Sequence, residues 1–136
     1  MPPLLVRGVK EALAEVRGPI ILISNLLTEG RGMEGFTAAD EVRWVSPVID
    51  RPVDVVIGNT GRPSQEAITR YASEHKQPLE LGSLAAEVEP VLGRFWCTPM
   101  ARHDRRRLSY AVWTVLSQRL LPSVSEGRVA EIASRT

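Results

Sequence analysis

The sequence is poor in the residues that build disulfides and metal centres. Its 136 residues include one cysteine, Cys97, and two histidines, His75 and His103. A single cysteine excludes an internal disulfide and any cysteine-rich zinc site, and it suits a reducing compartment. The two histidines lack the spacing of a ligand pair, so no metal site is expected. An excess of charge of one sign is also missing, because 17 Lys plus Arg against 16 Asp plus Glu leave +1. That balance argues against a nucleic-acid binder and against a polybasic membrane anchor. No apolar run exceeds the four residues of 20–23 and 110–113, too short to span a bilayer. Met1-Pro2-Pro3 leads into no signal-peptide pattern. A cytoplasmic protein that partners neither membrane nor nucleic acid is the expectation.

What is present fits one folded domain over 1–136. The chain is 43% hydrophobic and 24% charged, which argues against disorder. Leu5, Val9, Ala12, Leu13 and Val16 line one face of a helix that ends near Gly18. The run 20–23 reads as a strand covered on both faces. Thr37, with Asp40 three residues on, opens a helix that Pro47 should end. A second strand is expected at 53–57 and a helix at 63–75 with proline in its first turn. Residues 78–81 suggest a short strand, 84–92 are ambiguous because of Pro90, and 95–98 read as a strand. The strongest helix covers 104–121, with Leu108, Ala111, Val112, Val115, Leu116 and Leu120 on its apolar face and Pro122 beyond it. A peripheral helix or tail is expected over 122–136. Helix and strand patterns that alternate in this way predict an α/β fold with a mostly parallel sheet flanked by helices.

Ligands of such sheets bind at the carboxyl ends of the strands. Three loops should meet there as a positively polarised cradle: 24–37, 58–63 and 99–104. In the last, Arg102, Arg105, Arg106 and Arg107 surround a helix start. Each exposed cation there opposes the helix dipole by roughly 0.3–1 kcal/mol. Asp104 can cap the helix, and a bound phosphate would remove the conflict. The plainer account is a solvated surface, with Arg106 and Arg107 facing water. His103, beside Asp104, is a candidate general base. Gly58-Asn59-Thr60-Gly61-Arg62 is small and backbone-permissive, as phosphate loops and ordinary tight turns both are. The first loop holds Gly30, Gly32 and Gly35. Gly30-Arg31-Gly32-Met33-Glu34-Gly35 fits the dinucleotide expression but starts seven residues past the apolar run, which marks a chance match. Cys97 reads as a small buried hydrophobe, and Trp96, Trp113 and Trp44 read as packing residues.

At these loops the chain resembles the gluconeogenesis-factor (YvcK) proteins, which share a superfamily with 2-phospho-L-lactate transferase (CofD). The resemblance rests on Pro2-Pro3-Leu4-Leu5-Val6-Arg7-Gly8-Val9, on Asn25-Leu26-Leu27-Thr28 with Gly35-Phe36-Thr37 and Asp40, and on Arg102-His103-Asp104 with Leu108. Departures are Pro3 for an asparagine, Gly30-Arg31-Gly32-Met33 for Pro-Gly-Glu-Thr, and Glu41 for a histidine. Family members are about twice as long, and the chain looks like their C-terminal half, without the first Rossmann strand and its glycine loop. The resemblance implies a Rossmann-like fold and a nucleotide-type ligand, with no cofactor required. It leans to a regulatory protein that binds a UDP-sugar, with a role in carbon metabolism and in cell-wall or cell-shape control. On this reading Arg102 contacts phosphate, Asn25, Thr28 and Asn59 line the polar edge, Thr37 and Asp40 hold the helix after the first loop, and Gly35, Phe36, His103 and Asp104 complete the ligand-binding set. The alternatives are a CofD-type phospholactyl or nucleotidyl transferase, and a half-domain that acts as an interaction module. A half-fold should associate with itself, or with a chain that supplies the missing part.

Overall fold

Two parallel pairings organise the chain, which we describe from a computed structural model covering residues 4, 6–97 and 99–121. The elements run α1 (Val9–Ala14), β1 (Ile21–Ile23), α2 (Ala38–Ile49), β2 (Val55–Asn59), α3 (Gln65–Ala72), β3 (Glu89–Gly93), β4 (Trp96–Cys97), β5 (Arg102–His103) and α4 (Arg105–Leu120). A short 3-10 turn, Arg31–Met33, lies in the first loop. Strands β1, β2 and β3 form a parallel sheet in that order, with Ile21 opposite Val55 and Val56 opposite Pro90. Strands β4 and β5 form a separate antiparallel hairpin.

Strand alternation sorts the core into two layers. Leu22 and Val56 face α2, where Ala38, Val45 and Ile49 meet Val53, Leu79 and Val88. Ile21, Ile57 and Val91 face the other way, onto Phe95, Leu108, Ala111 and Val112. The period of two along each strand therefore assigns successive residues to opposite helical layers. Val53, Val55, Val56, Ile57 and Ile49 are the largest fully buried side chains. Each such side chain contributes about 1.5–3 kcal/mol when taken from water. A third cluster, Leu26, Ala67 and Trp96, packs below α3 with Tyr71.

Side chains at strand and helix starts explain why these segments form. The Asp54 carboxylate, placed just before β2, accepts the Ile20 amide at 2.7 Å and registers β1 against β2. Thr37 and Asp40 make a reciprocal capping box for α2. The Asp40 amide donates to Thr37 Oγ1, while the Thr37 amide and hydroxyl donate to Asp40 Oδ2 at 2.8 and 2.6 Å. Gly82 runs against this cap with φ +71, and a Cβ there would lie 2.4 Å from Thr37 Oγ1, so only glycine fits.

Several expectations are corrected. The first helix is shorter than 5–16, and Leu5 lies outside the described residues. β1 is covered on both faces at Ile21 and Leu22, as expected, but it is an edge strand, and Ile23 at its end is 39% exposed. Helix α2 passes through Pro47, which lies in its last turn, and ends when Asp50 adopts φ 56. The cap of α3 is Ser64, so Pro63 precedes that helix instead of sitting in its first turn. Residues 78–81 make only isolated bridges, Leu27 to Pro78 and Thr37 to Glu80. The ambiguous segment 84–92 contains most of β3, whose Pro90 amide position faces away from β2 because the Glu89 amide bonds Asp54. Residues 99–104 belong to the β4–β5 hairpin and are not a crossover loop of the parallel sheet. Cys97 and Trp113 are exposed, and Trp44 is 56% exposed against Phe36. Thr98 and the helix or tail expected over 122–136 lie outside the described residues. Among the described residues no helix is long and apolar enough to cross a membrane.

Candidate functional site

The carboxyl ends of β1 and β2, the turn after β3 and the hairpin meet on one rim. Ser24 continues β1, its amide donating to Ile57 O at 3.0 Å. From the hairpin, His103 Nε2 lies 3.2 Å from Ser24 O, across 79 positions of sequence. A carbonyl can only accept, so the neutral ring carries its proton on Nε2 and leaves Nδ1 as an acceptor. The contact brings Asn25, Thr28 and His103 into one recess of about 290 Å³, with Tyr71, Lys76 and Glu29 in its lining.

Each side chain in this recess is held by a local device. Thr28 is buried, and its loop is stapled to the segment before Leu79: its amide donates to Gln77 O at 2.8 Å, and its Oγ1 accepts the Gln77 amide at 3.0 Å. Tyr71 Oη accepts the Ala101 amide at 3.0 Å and so holds the hairpin turn. Asn25 Nδ2 donates to Glu41 Oε1 at 2.9 Å. Burial pushes the Glu41 carboxyl above its ordinary value, partly offset by the Asn25 hydrogen bonds, with a further push from Glu29. The Lys76 ammonium meets Glu74 at 2.6 Å, which raises its pKa and keeps it charged.

Charge here is mixed. Lys76 faces Glu29, and Glu41 stands behind Asn25, so the recess is not the positively polarised cradle expected. Arg102 is exposed on the hairpin and lies outside this lining. Asp104 caps α4: Oδ1 accepts the Arg106 and Arg107 amides at 3.0 and 3.1 Å, and Arg107 Nε approaches Oδ2 at 3.7 Å. Its oxygens serve the helix start, so its hydrogen bonds do not orient His103 as a base. Leu108, the last residue of that signature, enters the core under β2.

Asn59 lies on the same rim but outside the His103 recess. It lines a separate recess of about 600 Å³ with Arg62, Gln65 and Leu92. Its Oδ1 accepts amides from Phe95, Gly61 and Trp96 at 2.8, 3.0 and 3.1 Å, and its Nδ2 donates to Gly61 O at 2.8 Å. Its amide group is thus a joint between the β2 turn and the hairpin. Gly35, with φ +72, turns the chain ahead of α2. Phe36 stacks edge-on against Trp44 at 4.8 Å, in a third recess of about 400 Å³. Thr37 and Asp40 are spent on the cap, whose hydroxyl and amide, with Arg43 beside them, hold the Asp40 carboxyl below its ordinary value. Tyr71, Lys76 and Glu41 join the site through tertiary approach. Of the three, only Glu41 carried a signal in the sequence, as the replacement beside Asp40.

A parallel sheet between helical layers, with polar loops gathered at its carboxyl edge, defines a Rossmann-like α/β protein. Comparison with known proteins narrows the class. The family model for "2-phospho-L-lactate transferase CofD" matches residues 1–95, and the chain belongs to that family. A relative from Thermotoga maritima named "Putative gluconeogenesis factor" is 32% identical over 77 residues, covering 57% of this chain and 24% of its own length. An Aquifex aeolicus relative of the same name is 27% identical over 133 residues, covering 91% of this chain and 40% of its own. The crystal structure of a UPF0052-family protein from Bacillus halodurans shares the fold, with a TM-score of 0.73 at 24% identity over 82% of this chain and 38% of that one. The chain therefore spans well under half the length of these relatives.

Proposed function

We propose that this chain carries part of the ligand site of a cytoplasmic regulatory protein of the gluconeogenesis-factor type, and that the ligand is a nucleotide sugar such as a UDP-sugar. The observation that carries the reading is the His103–Ser24 contact, which joins the Asn25-x-x-Thr28 and Arg102-His103-Asp104 segments in one recess. The recess offers an amide, a ring nitrogen and a hydroxyl for sugar or base groups. It has one cation, Lys76, for a phosphate. Arg102 and the Asn59 recess are available to the rest of an elongated ligand along the rim. The role in carbon metabolism and cell-wall or cell-shape control follows from the same family reading.

Thermal shift with UDP-N-acetylglucosamine tests it. Saturating ligand stabilises a binding protein by about 2.7 kcal/mol at a hundredfold excess over Kd. The melting temperature should rise with ligand in the wild type and much less in Lys76→Ala, whose ion pair with Glu74 is on the surface. Equal melting of the wild type with and without ligand overturns the reading. The match to the transferase family model favours a second one, transfer from a phospholactyl or nucleotidyl donor. Product formation from a phospholactyl donor with a deazaflavin acceptor would establish it.

A further inference from the structure

The recess that holds Phe36 and Trp44 differs in chemistry from the two on the polar rim. It measures about 400 Å³, and Leu22, Met33 and Phe36 give it an apolar wall. The Phe36 ring meets Trp44 edge-on at 4.8 Å, yet Trp44 is 56% exposed, so much of its indole is open to a ligand. Two carboxylates, Glu29 and Glu41, complete the lining, and among the described residues no lysine, arginine or histidine joins it. Both Glu41 oxygens take hydrogen bonds from Asn25, Oε1 from Nδ2 at 2.9 Å and Oε2 from the amide at 3.4 Å. Asn25 is neutral, so these bonds leave the charge uncompensated, and each oxygen keeps a lone pair for a further donor. Neighbouring bases are engaged elsewhere: Arg43, two residues on along α2, holds Asp40, and Lys76 pairs with Glu74 at 2.6 Å. Glu41 is half-buried and feels Glu29 as a second negative charge. A carboxylate so placed, without a cation, is costly to keep ionised.

An aromatic face beside a negative wall selects an organic cation. The ammonium meets both the carboxylates and the ring quadrupole, while the hydrocarbon body leaves water. The same carboxylates repel a phosphate or any other anion. The volume lies within the roughly 300–1,000 Å³ of small-molecule pockets. We infer that this recess is a binding site for a small primary amine with an apolar or aromatic body, its ammonium held by Glu29 and Glu41 and its body against Met33, Phe36 and Trp44. Asn25 and Glu29 line this recess and the His103 recess alike, so the amine would neighbour whatever the other takes. The inference does not rest on the nucleotide-sugar reading, and its test contains no nucleotide.

The test titrates the full chain with phenethylamine, with its neutral counterpart phenethyl alcohol and with the anion hydrocinnamate. Nitrogen–proton correlation spectra follow the indole signals of Trp44, Trp96 and Trp113, and Trp44→Phe assigns the first. Phenethylamine, a cation at neutral pH, should move the Trp44 signal and leave those of Trp96 and Trp113 in place. It should bind about tenfold or more tighter than the alcohol, and hydrocinnamate should move nothing. Glu41→Gln keeps an oxygen for Asn25 but drops the charge, and should narrow the preference for the amine to about threefold or less. Glu29→Gln changes an exposed side chain, so it retains the fold; it should weaken the amine and leave the alcohol unchanged. Three results overturn the inference: an amine that binds no tighter than the alcohol, shifts at Trp96 or Trp113 without one at Trp44, or a preference that both glutamine variants keep in full. None of them alters the thermal shift with UDP-N-acetylglucosamine, so the two readings fail separately.

Discussion

Replacing Asn59 separates a structural joint from a ligand contact. In Asn59→Ala the amides of Gly61 and Trp96 lose their acceptor, while the Phe95 amide keeps a weaker one, Gly93 O at 3.1 Å. An orphaned buried amide costs about 1–3 kcal/mol, and Trp96 is buried whereas Gly61 is partly reached by water. The sum is about 2–3 kcal/mol, a large share of the roughly 5–15 kcal/mol that stabilises a domain. Urea unfolding followed by tryptophan fluorescence measures it. With a slope of about 1.5 kcal/mol per molar, the midpoint should fall by about 1.3–2 M. Asn59→Asp keeps the oxygen that accepts all three amides but sets a second carboxylate oxygen against Gly61 O, so its midpoint should fall, though by less than in Asn59→Ala. A midpoint in Asn59→Ala within about 0.5 M of wild type would refute the account of Asn59 as the joint between β2 and the hairpin. If Asn59→Asp folds yet loses response to a phosphate-bearing ligand, Asn59 serves the ligand as well.

Three other outcomes are expected. Gly82→Ala should cost more than the roughly 1 kcal/mol of an unfavourable left-handed alanine, because its Cβ also meets Thr37 Oγ1; a melting temperature equal to wild type would contradict the close approach. Thr37→Ala should cost about 1 kcal/mol through loss of the α2 cap, checked by urea unfolding against a surface threonine control such as Thr114→Ala. Glu41 sets a pH dependence. Its folded carboxyl titrates above the unfolded one, so the stability it contributes is complete below the unfolded carboxyl range and is lost as pH rises through the raised folded value. Glu41→Gln should therefore gain on wild type as pH climbs from the ordinary carboxylate range, and melting curves that stay parallel over that window would reject the assignment.

Much of the scaffold was legible in the residues. The Thr37–Asp40 spacing located the start of α2, the 104–121 periodicity located α4, and the β-branched runs located β1 and β2. Each is a local signal that tertiary packing reinforces. β3 was hidden because Glu89-Pro90-Val91-Leu92-Gly93 is an exposed border strand, with no alternation to read and a proline that argues against strands in general. β5 was hidden because two residues, Arg102 and His103, form it only by pairing with Trp96 and Cys97. Pro47 misled because its ring removes one bond near the end of α2, where packing of Val45 and Ile49 outweighs the loss. At the site, the union of Asn25, Thr28 and His103 followed from placing their loops on one edge. The structural role of Asn59 was not legible, because a small polar turn with one asparagine looks alike whether its amide faces solvent or holds three backbone donors. Tyr71 and Lys76 arrive from the end of α3 and the loop after it, and nothing in their local sequence announces that approach.

The two borders of the sheet, β1 and the proline-bearing β3, limit how copies can assemble. Endless side-by-side growth needs two adhesive flanks on every subunit, so that each newcomer leaves a fresh one behind. Here a single imino acid blunts the far flank. Copies joined through their near flanks would close into a pair and stop, which protects a fold with so short and greasy an open strand from growing into fibres.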